Sequence, residues 1–363
     1  MPVSINRDVF EDLFVLEMAN NHWGRLDRGR KIVDDFSKVV KYNNVRASLK
    51  VQLRDVDSFV HKDHSNRTDN RYIKKTIDTK MSQDDFKELI QHIRKSGCIP
   101  TATPFDENSV DFANELELPI LKIASSDIND WVLIEKIATT RKPVIASTGG
   151  SSLKDMDDLV TFFENRKIPL ALNHCVSLYP SEDDQLELNQ IDFMKNRYPG
   201  ITIGFSSHEY HDWESSMLIA YGKGARTFER HVDIDADGIP VSSYCTKPEQ
   251  CDTWFKAFKK AKEMCGVPGT AKRHVTRAEI EYLDALVRGV YAKRDLPIGH
   301  AISESDIYLA IPLTKGQLSC RELIAGEVLS SPVVAHQPIT ISDVDNPYSR
   351  VSELRQQIQE RGL

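Results

Sequence analysis

The sequence has none of the features that mark a membrane, exported or nucleic-acid-binding protein. No apolar run approaches the roughly 20 residues needed to span a bilayer. The opening residues, Met1-Pro2-Val3-Ser4-Ile5-Asn6-Arg7-Asp8, have no apolar segment of the secretory kind, so no export signal is expected. Basic charge is not in excess: 47 Lys and Arg face 54 Asp and Glu, a net −7, which offers no footprint for a polyanion. Cysteine is sparse and scattered. Cys98, Cys175, Cys245, Cys251, Cys265 and Cys320 form no CxxC pair, the usage of a reduced, cytoplasmic protein. A glycine-rich phosphate loop is also missing. After the first apolar run stands Asn20-Asn21-His22-Trp23-Gly24, which argues against an open dinucleotide-binding sheet.

What is present is repetition. Eight short apolar runs follow one another: 13–20, 45–54, 98–105, 119–127, 143–150, 169–176, 201–208 and 226–235. Amphipathic stretches such as 84–95, 130–140, 153–165 and 213–221 lie between them. Alternating strands and helices imply parallel pairing through right-handed crossovers. Eight such units predict an α/β chain closed into a (β/α)8 TIM barrel over residues 1–265. The connection after the second run is oversized, with a polar stretch from His61 to Lys75 that reads equally as a solvated linker or a lid. Residues 266–285 read as a linker with a short helix, and 286–346 as a small β-rich domain. In that domain Ile302-Ser303-Glu304-Ser305-Asp306-Ile307 is echoed by Ile339-Thr340-Ile341-Ser342-Asp343-Val344. Residues 347–363 read as a tail carrying a polar terminal helix.

The strand ends are more polar than their beginnings, and barrels of this kind place their chemistry there. Because i and i+2 share a face of a strand, Lys50 projects with Gln52, Ser206 with His208, and Glu229 with His231. Two histidines at the ends of the adjacent seventh and eighth strands suit a shared divalent ion. Lys50 and Lys122 interrupt strands built for burial, so each needs an anionic partner. That partner is either an internal carboxylate, Glu17 or Glu229, or a bound phosphate or carboxylate to which Thr103, Ser125, Ser147 and Ser206 add hydroxyl donors.

Read together, Glu17-Met18-Ala19-Asn20-Asn21-His22-Trp23-Gly24, Lys50-Val51-Gln52, Thr103-Pro104-Phe105, Lys122-Ile123-Ala124-Ser125, Ser147-Thr148-Gly149, His174-Cys175 with Tyr179-Pro180, Gly204-Phe205-Ser206-Ser207-His208 and Glu229-Arg230-His231 resemble the motifs of bacterial sialic acid synthases. Residues 286–346 are similar to that family's C-terminal antifreeze-like (SAF) domain. The resemblance implies metal-dependent condensation of phosphoenolpyruvate with an N-acetylmannosamine-like aldose, giving a nine-carbon 2-keto sugar acid and phosphate. It implies Mn2+, with Mg2+ as the other candidate, on His208 and His231. Lys50, Thr103, Lys122, Ser125, Ser147 and Ser206 would hold phosphoenolpyruvate, and Gln52, Ser177 and Tyr179 would face the sugar. Glu17, Asp127 and Glu229 would be the candidate bases. It also implies a domain-swapped homodimer.

The departures from the family pattern fall on the sugar side. Asp127 stands where Glu is common, and Ser177 where Asn is. Ile239-Pro240-Val241-Ser242 replaces a Gly-Pro-Asp segment, and Leu309-Ala310-Ile311-Pro312 lacks an arginine for which Arg321 is the available substitute. Two other readings follow from these departures. One is a synthase for a phosphorylated aldose, using Arg54, Arg67 and Arg71; the other is a ligand-binding relative without turnover.

Overall fold

The structure, a computed structural model, describes residues 9–66, 69–267, 269, 271–322 and 326–362. Eight parallel strands close in sequence order: β1 (Leu13–Ala19), β2 (Arg46–Leu53), β3 (Ile99–Pro104), β4 (Ile120–Ile123), β5 (Val144–Ser147), β6 (Leu170–Cys175), β7 (Thr202–Ser207) and β8 (Thr227–His231). β8 pairs back onto β1, with Val15 opposite Glu229 and Glu17 opposite His231. The chain is therefore a TIM barrel.

Alternation along the strands divides the side chains between two cores. Phe14, Leu16 and Met18 face outward into a large cluster with the surrounding helices, whereas Leu13 and Val15 join Ile120, Ile145 and Ala171 inside the barrel. Helix caps set the connections. Ser82 caps the helix Gln83–Ser96, Asp106 caps Glu107–Glu115, and Ser152 forms a capping box with Asp155 on Leu153–Asn165.

The strands are shorter than the apolar runs, most visibly at β4. There the chain turns into a 3-10 segment, Ser125–Asp127, in which the Asp127 N–H donates to the Ala124 carbonyl (3.0 Å). β5 stops at Ser147, ahead of a turn in which Gly150 adopts φ +72°. The oversized connection is not a featureless linker: it holds a short 3-10 turn, Lys62–His64, and a helix, Arg71–Asp78, capped by Asn70. Arg67, within it, lies outside the described residues.

Halfway up the barrel Gly204 leaves room for a polar bridge across β7. Thr227 donates to Asn173 Oδ1 at 2.5 Å, and a Cβ at Gly204 would fall 1.8 Å from Thr227 Oγ1 and 2.1 Å from Asn173 Oδ1. Gly204→Ala is therefore expected to cost about 2–4 kcal/mol of stability through overpacking. A lowered midpoint in urea unfolding checks this, and an unchanged midpoint would contradict the packing described.

The chain divides into two compact units at Gly266/Val267. The second contains a helix, Arg277–Asp284, and two antiparallel pairs: β9 (Gly289–Ala292) with β10 (Ile307–Ala310), and β11 (Val328–Leu329) with β12 (Val344–Asp345). The repeated hexapeptides have the same local structure. The Ser303 N–H and hydroxyl donate to Asp306 Oδ2 (2.9 and 2.7 Å), and the Thr340 N–H and hydroxyl donate to Asp343 Oδ2 (2.8 and 2.6 Å). Their apolar ends, Ile302 and Ile307, Ile339 and Val344, share one core. Ile358 of the terminal helix Ser352–Glu360 packs into the same core. All six cysteines are free, and among the described residues no helix is long and apolar enough to cross a membrane.

Candidate functional site

The inward parity that carries Leu13 and Val15 into the lumen carries Glu17 to the end of β1. The same parity gives Lys50 and Gln52 on β2, Thr103 on β3, Lys122 on β4, Ser147 on β5, Ser206 and then His208 on β7, and Glu229 and His231 on β8. These residues converge at the C-terminal mouth of the barrel.

At its centre is a buried triad of charges. Lys50 Nζ lies 2.5 Å from Glu17 Oε2 and 2.7 Å from Glu229 Oε1, with all three side chains almost wholly removed from solvent. The internal carboxylate partner expected as one alternative for Lys50 is thus present. Burial pushes both carboxyls toward the neutral form and the Lys50 ammonium opposes it. Glu17 ends above the usual carboxylate range, while Glu229, which also feels Lys122, ends below it. Glu17 has both oxygens engaged, the second by the Ala19 N–H at 2.6 Å. Glu229 Oε2 has no donor among the described residues.

Lys122 has a different environment. Its Nζ donates to Ser147 Oγ and to the Ile123 carbonyl, both at 2.7 Å, and no carboxylate lies within 4.0 Å among the described residues. Burial lowers its pKa to about 8 against the attraction of Glu229. A buried ammonium with neutral acceptors alone is a ready partner for an anion. Ser125 Oγ, close by, accepts the Gly149 N–H (3.1 Å), and Ser177 sits over the same glycine, whose Cβ would fall 2.2 Å from Ser177 Oγ. Thr103 and Ser206 are buried in the wall. Asp127 has a buried Oδ2 without a donor among the described residues, and burial raises its pKa.

The two histidines come together as neighbours, with ring centroids 5.5 Å apart. Tyr179 packs against both, at 4.0 Å from His208 and 5.8 Å from His231, and Tyr244 closes on His231 at 5.3 Å. Burial holds both imidazoles neutral at physiological pH, His208 at about 4 and His231 well below the ordinary value. His208 Nδ1 is fixed by the Val176 carbonyl at 2.8 Å, so Nδ1 carries the proton and Nε2 keeps its lone pair. Neutral, oriented imidazoles fit a divalent ion. Among the described residues no three His, Cys, Asp or Glu side chains gather as a cage, so these two would be the protein's whole share, with the other positions left to water and substrate.

The motif Glu229-Arg230-His231 divides two ways. Glu229 and His231 face the lumen, while Arg230 points outward into a buried ion pair with Glu209 (2.7 Å) and a bond to Thr246. On β6 the polar motif residue lies on the outer face. His174 does not reach the mouth: its Nε2 bonds the Leu186 carbonyl (2.7 Å) and its ring stacks on Phe205. The inward residues of β6 are Asn173 and Cys175, which share parity with Ala171, and that parity was the available signal. Arg54 was weighed only for a second phosphate, yet it stands beside Gln52 and donates to its Oε1 (3.0 Å). Tyr244 had no strand periodicity to reveal it, because it comes from the irregular segment after β8. Arg321, in the C-terminal unit, is half exposed with Asp284 3.9 Å away.

Comparison with known proteins gives the chain's family. The model of the NeuB family matches residues 37–268 and that of the SAF domain residues 287–345. The structure superposes on spore coat polysaccharide biosynthesis protein E of Chromobacterium violaceum with a TM-score of 0.90 and 33% identity, covering 93% of this chain and 100% of that one. An uncharacterized protein of Methanocaldococcus jannaschii is 28% identical over 83% of this chain and 86% of its own. The N-acetylneuraminate-9-phosphate synthase of Drosophila melanogaster is 28% identical over 78% and 77%. A TIM barrel that ends in polar strand tips and is followed by a SAF domain thus belongs to the NeuB family, the sialic acid synthase-like, phosphoenolpyruvate-dependent enzymes that condense their substrate with amino sugars.

Proposed function

We propose that the protein condenses phosphoenolpyruvate with the open-chain aldehyde of an N-acetylmannosamine-like aldose, releasing phosphate and a nine-carbon 2-keto sugar acid. The observation that carries this reading is the buried Lys122, which has no carboxylate within 4.0 Å among the described residues. Lys122 with Ser147, Ser125, Thr103 and Ser206 forms the anion cradle, and Lys50 adds charge from the side shared with Glu17 and Glu229. These groups orient C3 of phosphoenolpyruvate toward the aldehyde carbon, so that positioning and fixed charge supply the catalysis.

Gln52, Ser177 and Tyr179 line the sugar side. His208 and His231 would hold a divalent ion, Mn2+ by resemblance, which when bound supplies Lewis acidity for the aldehyde. Glu229, ionised and with Oε2 unengaged, is suited to take the proton from the water that adds at C2. Glu17, whose carboxyl favours its proton, is suited to hold one. Collapse of the C2 adduct then expels phosphate with cleavage of the C–O bond. A homodimer in which the SAF domain covers the partner's barrel, and a cytoplasmic location, belong to the same reading.

The test is consumption of phosphoenolpyruvate with Mn2+ and a panel of 2-acetamido aldoses. The expected result is turnover with a cognate sugar, falling about 10²–10⁴-fold in Glu229→Gln. Bound phosphoenolpyruvate that no aldose consumes would instead support a binding protein without turnover.

A further inference from the structure

Beside Gln52 the mouth continues into a narrow cleft lined also by Asn20, His22, Arg54 and Thr76. Two donors of its lining, Arg54 and His22, have little to donate to among the described residues. Arg54 follows Lys50 and Gln52 on the inward parity of β2. Its guanidinium is held flat over the Phe105 ring, 3.6 Å from the centroid, and one nitrogen is committed to Gln52. Nε and Nη2 make no hydrogen bond, and no carboxylate lies within 4.0 Å, among the described residues. Glu17, Asp106 and Asp127 act on it only from a distance, and burial lowers its pKa to about 10.

His22 contributes a second donor. Its Nδ1 accepts the Gly24 N–H at 3.0 Å, and burial holds the ring neutral with a pKa of about 4. The proton therefore sits on Nε2, which is buried and without an acceptor among the described residues. The helix Arg71–Asp78 adds positive charge: Lys75, also without an ion pair there, bears electrostatically on His231, Asp233 and Cys245, and Arg71 bears on Tyr244.

We propose that this cleft is an anion subsite for the second substrate: Arg54, with His22, reads an oxyacid group, phosphate or carboxylate, borne by the aldose at the end remote from its aldehyde, and Lys75, next in sequence to the lining Thr76, adds positive charge from outside the lining. The inference rests on the condensation reading above and specifies its sugar. A largely desolvated guanidinium with no carboxylate within 4.0 Å among the described residues favours an anionic ligand, because a neutral sugar's hydroxyls can accept its hydrogen bonds but bring no compensating charge. Arg54 is in this account a specificity-determining residue, and the flat, preorganised fork on Phe105 suits bidentate binding.

The experiment compares N-acetylmannosamine, its 6-phosphate and its 6-carboxylate by kcat/KM for phosphoenolpyruvate consumption in the parent, Arg54→Gln, Arg54→Lys and Lys75→Gln. At least one anionic aldose is expected to be preferred about tenfold or more over the neutral one, and the stronger of the two identifies the group. Arg54→Gln should reduce that preference about tenfold, with Arg54→Lys retaining part of it and Lys75→Gln lowering it less. Preference for the neutral sugar, or a preference untouched by Arg54→Gln, would overturn the subsite. If no aldose is consumed, the condensation reading fails by itself, and calorimetric binding of the 6-phosphate decides the subsite. Binding weakened about tenfold in Arg54→Gln supports it, while equal affinity in parent and variant rejects it.

Discussion

Lys122→Met is expected to fold at least as stably as the parent and to bind phosphoenolpyruvate at least a hundredfold more weakly. Both effects follow from one geometry. Lys122 is 3% exposed and, among the described residues, bonds to Ser147 Oγ and the Ile123 carbonyl with no carboxylate within 4.0 Å, so its charge is desolvated with only the more distant Glu229 to offset it. Replacing an uncompensated buried cation by an apolar side chain of similar length removes that penalty, worth about 1–3 kcal/mol. The same cation is the free positive charge of the cradle, since Lys50 is already shared by Glu17 and Glu229. Losing a charge-assisted contact in a water-excluded site costs the ligand about 3 kcal/mol or more.

The pH dependence has a definite sign. The free protein's Lys122 titrates at about 8, and an anion favours the ammonium, so binding raises that pKa. Affinity is therefore full below about pH 8 and falls as pH rises through it, by up to about tenfold per unit. The variant should show no such fall. Calorimetric titrations of phosphoenolpyruvate between pH 7 and 9.5, paired with urea unfolding, check all three statements. A destabilised variant with unchanged affinity would place the anion elsewhere.

His231→Gln is expected to abolish stable binding of a divalent ion and to lower kcat about a thousandfold or more, the several kcal/mol that a Lewis acid contributes. Among the described residues the two imidazoles would be the protein's whole share of a metal site, so losing one would leave His208 alone, and a single neutral imidazole does not hold an ion against water. Glutamine roughly keeps the volume packed between Tyr179 and Tyr244. Mn2+ retained after gel filtration, measured beside circular dichroism, separates metal loss from unfolding. One Mn2+ per chain in the variant would remove His231 from the metal assignment.

Much of this site was legible from strand parity and the positions of charged residues in apolar runs. Lys50 and Lys122 announced themselves because an ammonium in a buried strand needs a partner, and the i, i+2 rule put Glu229 with His231 and Ser206 with His208. The rule fails only where the phase of a strand is misjudged. In β6 Ala171 sets the phase, which puts Asn173 and Cys175 inward and the polar His174 outward. Which partner each lysine takes depends on closure of the barrel. Glu17 and Glu229 reach Lys50 because β8 returns to pair with β1, a contact between the two ends of the barrel that local pattern does not carry. The 3-10 turn after β4 and the helix Arg71–Asp78 were missed for the opposite reason, being short polar elements fixed by caps and turns rather than by apolar periodicity. The fold was the easier part, since eight strand–helix units need only be counted.

In the proposed condensation water attacks C2 and phosphate leaves by C–O cleavage. The most direct measurement is the isotope content of the phosphate released from phosphoenolpyruvate in water enriched in 18O, with Mn2+ and a cognate aldose. The account predicts phosphate carrying no solvent oxygen, formed only when the aldose is present. Phosphate labelled with 18O would mean P–O cleavage, and phosphate released equally without sugar would mean hydrolysis without condensation; either result would contradict it.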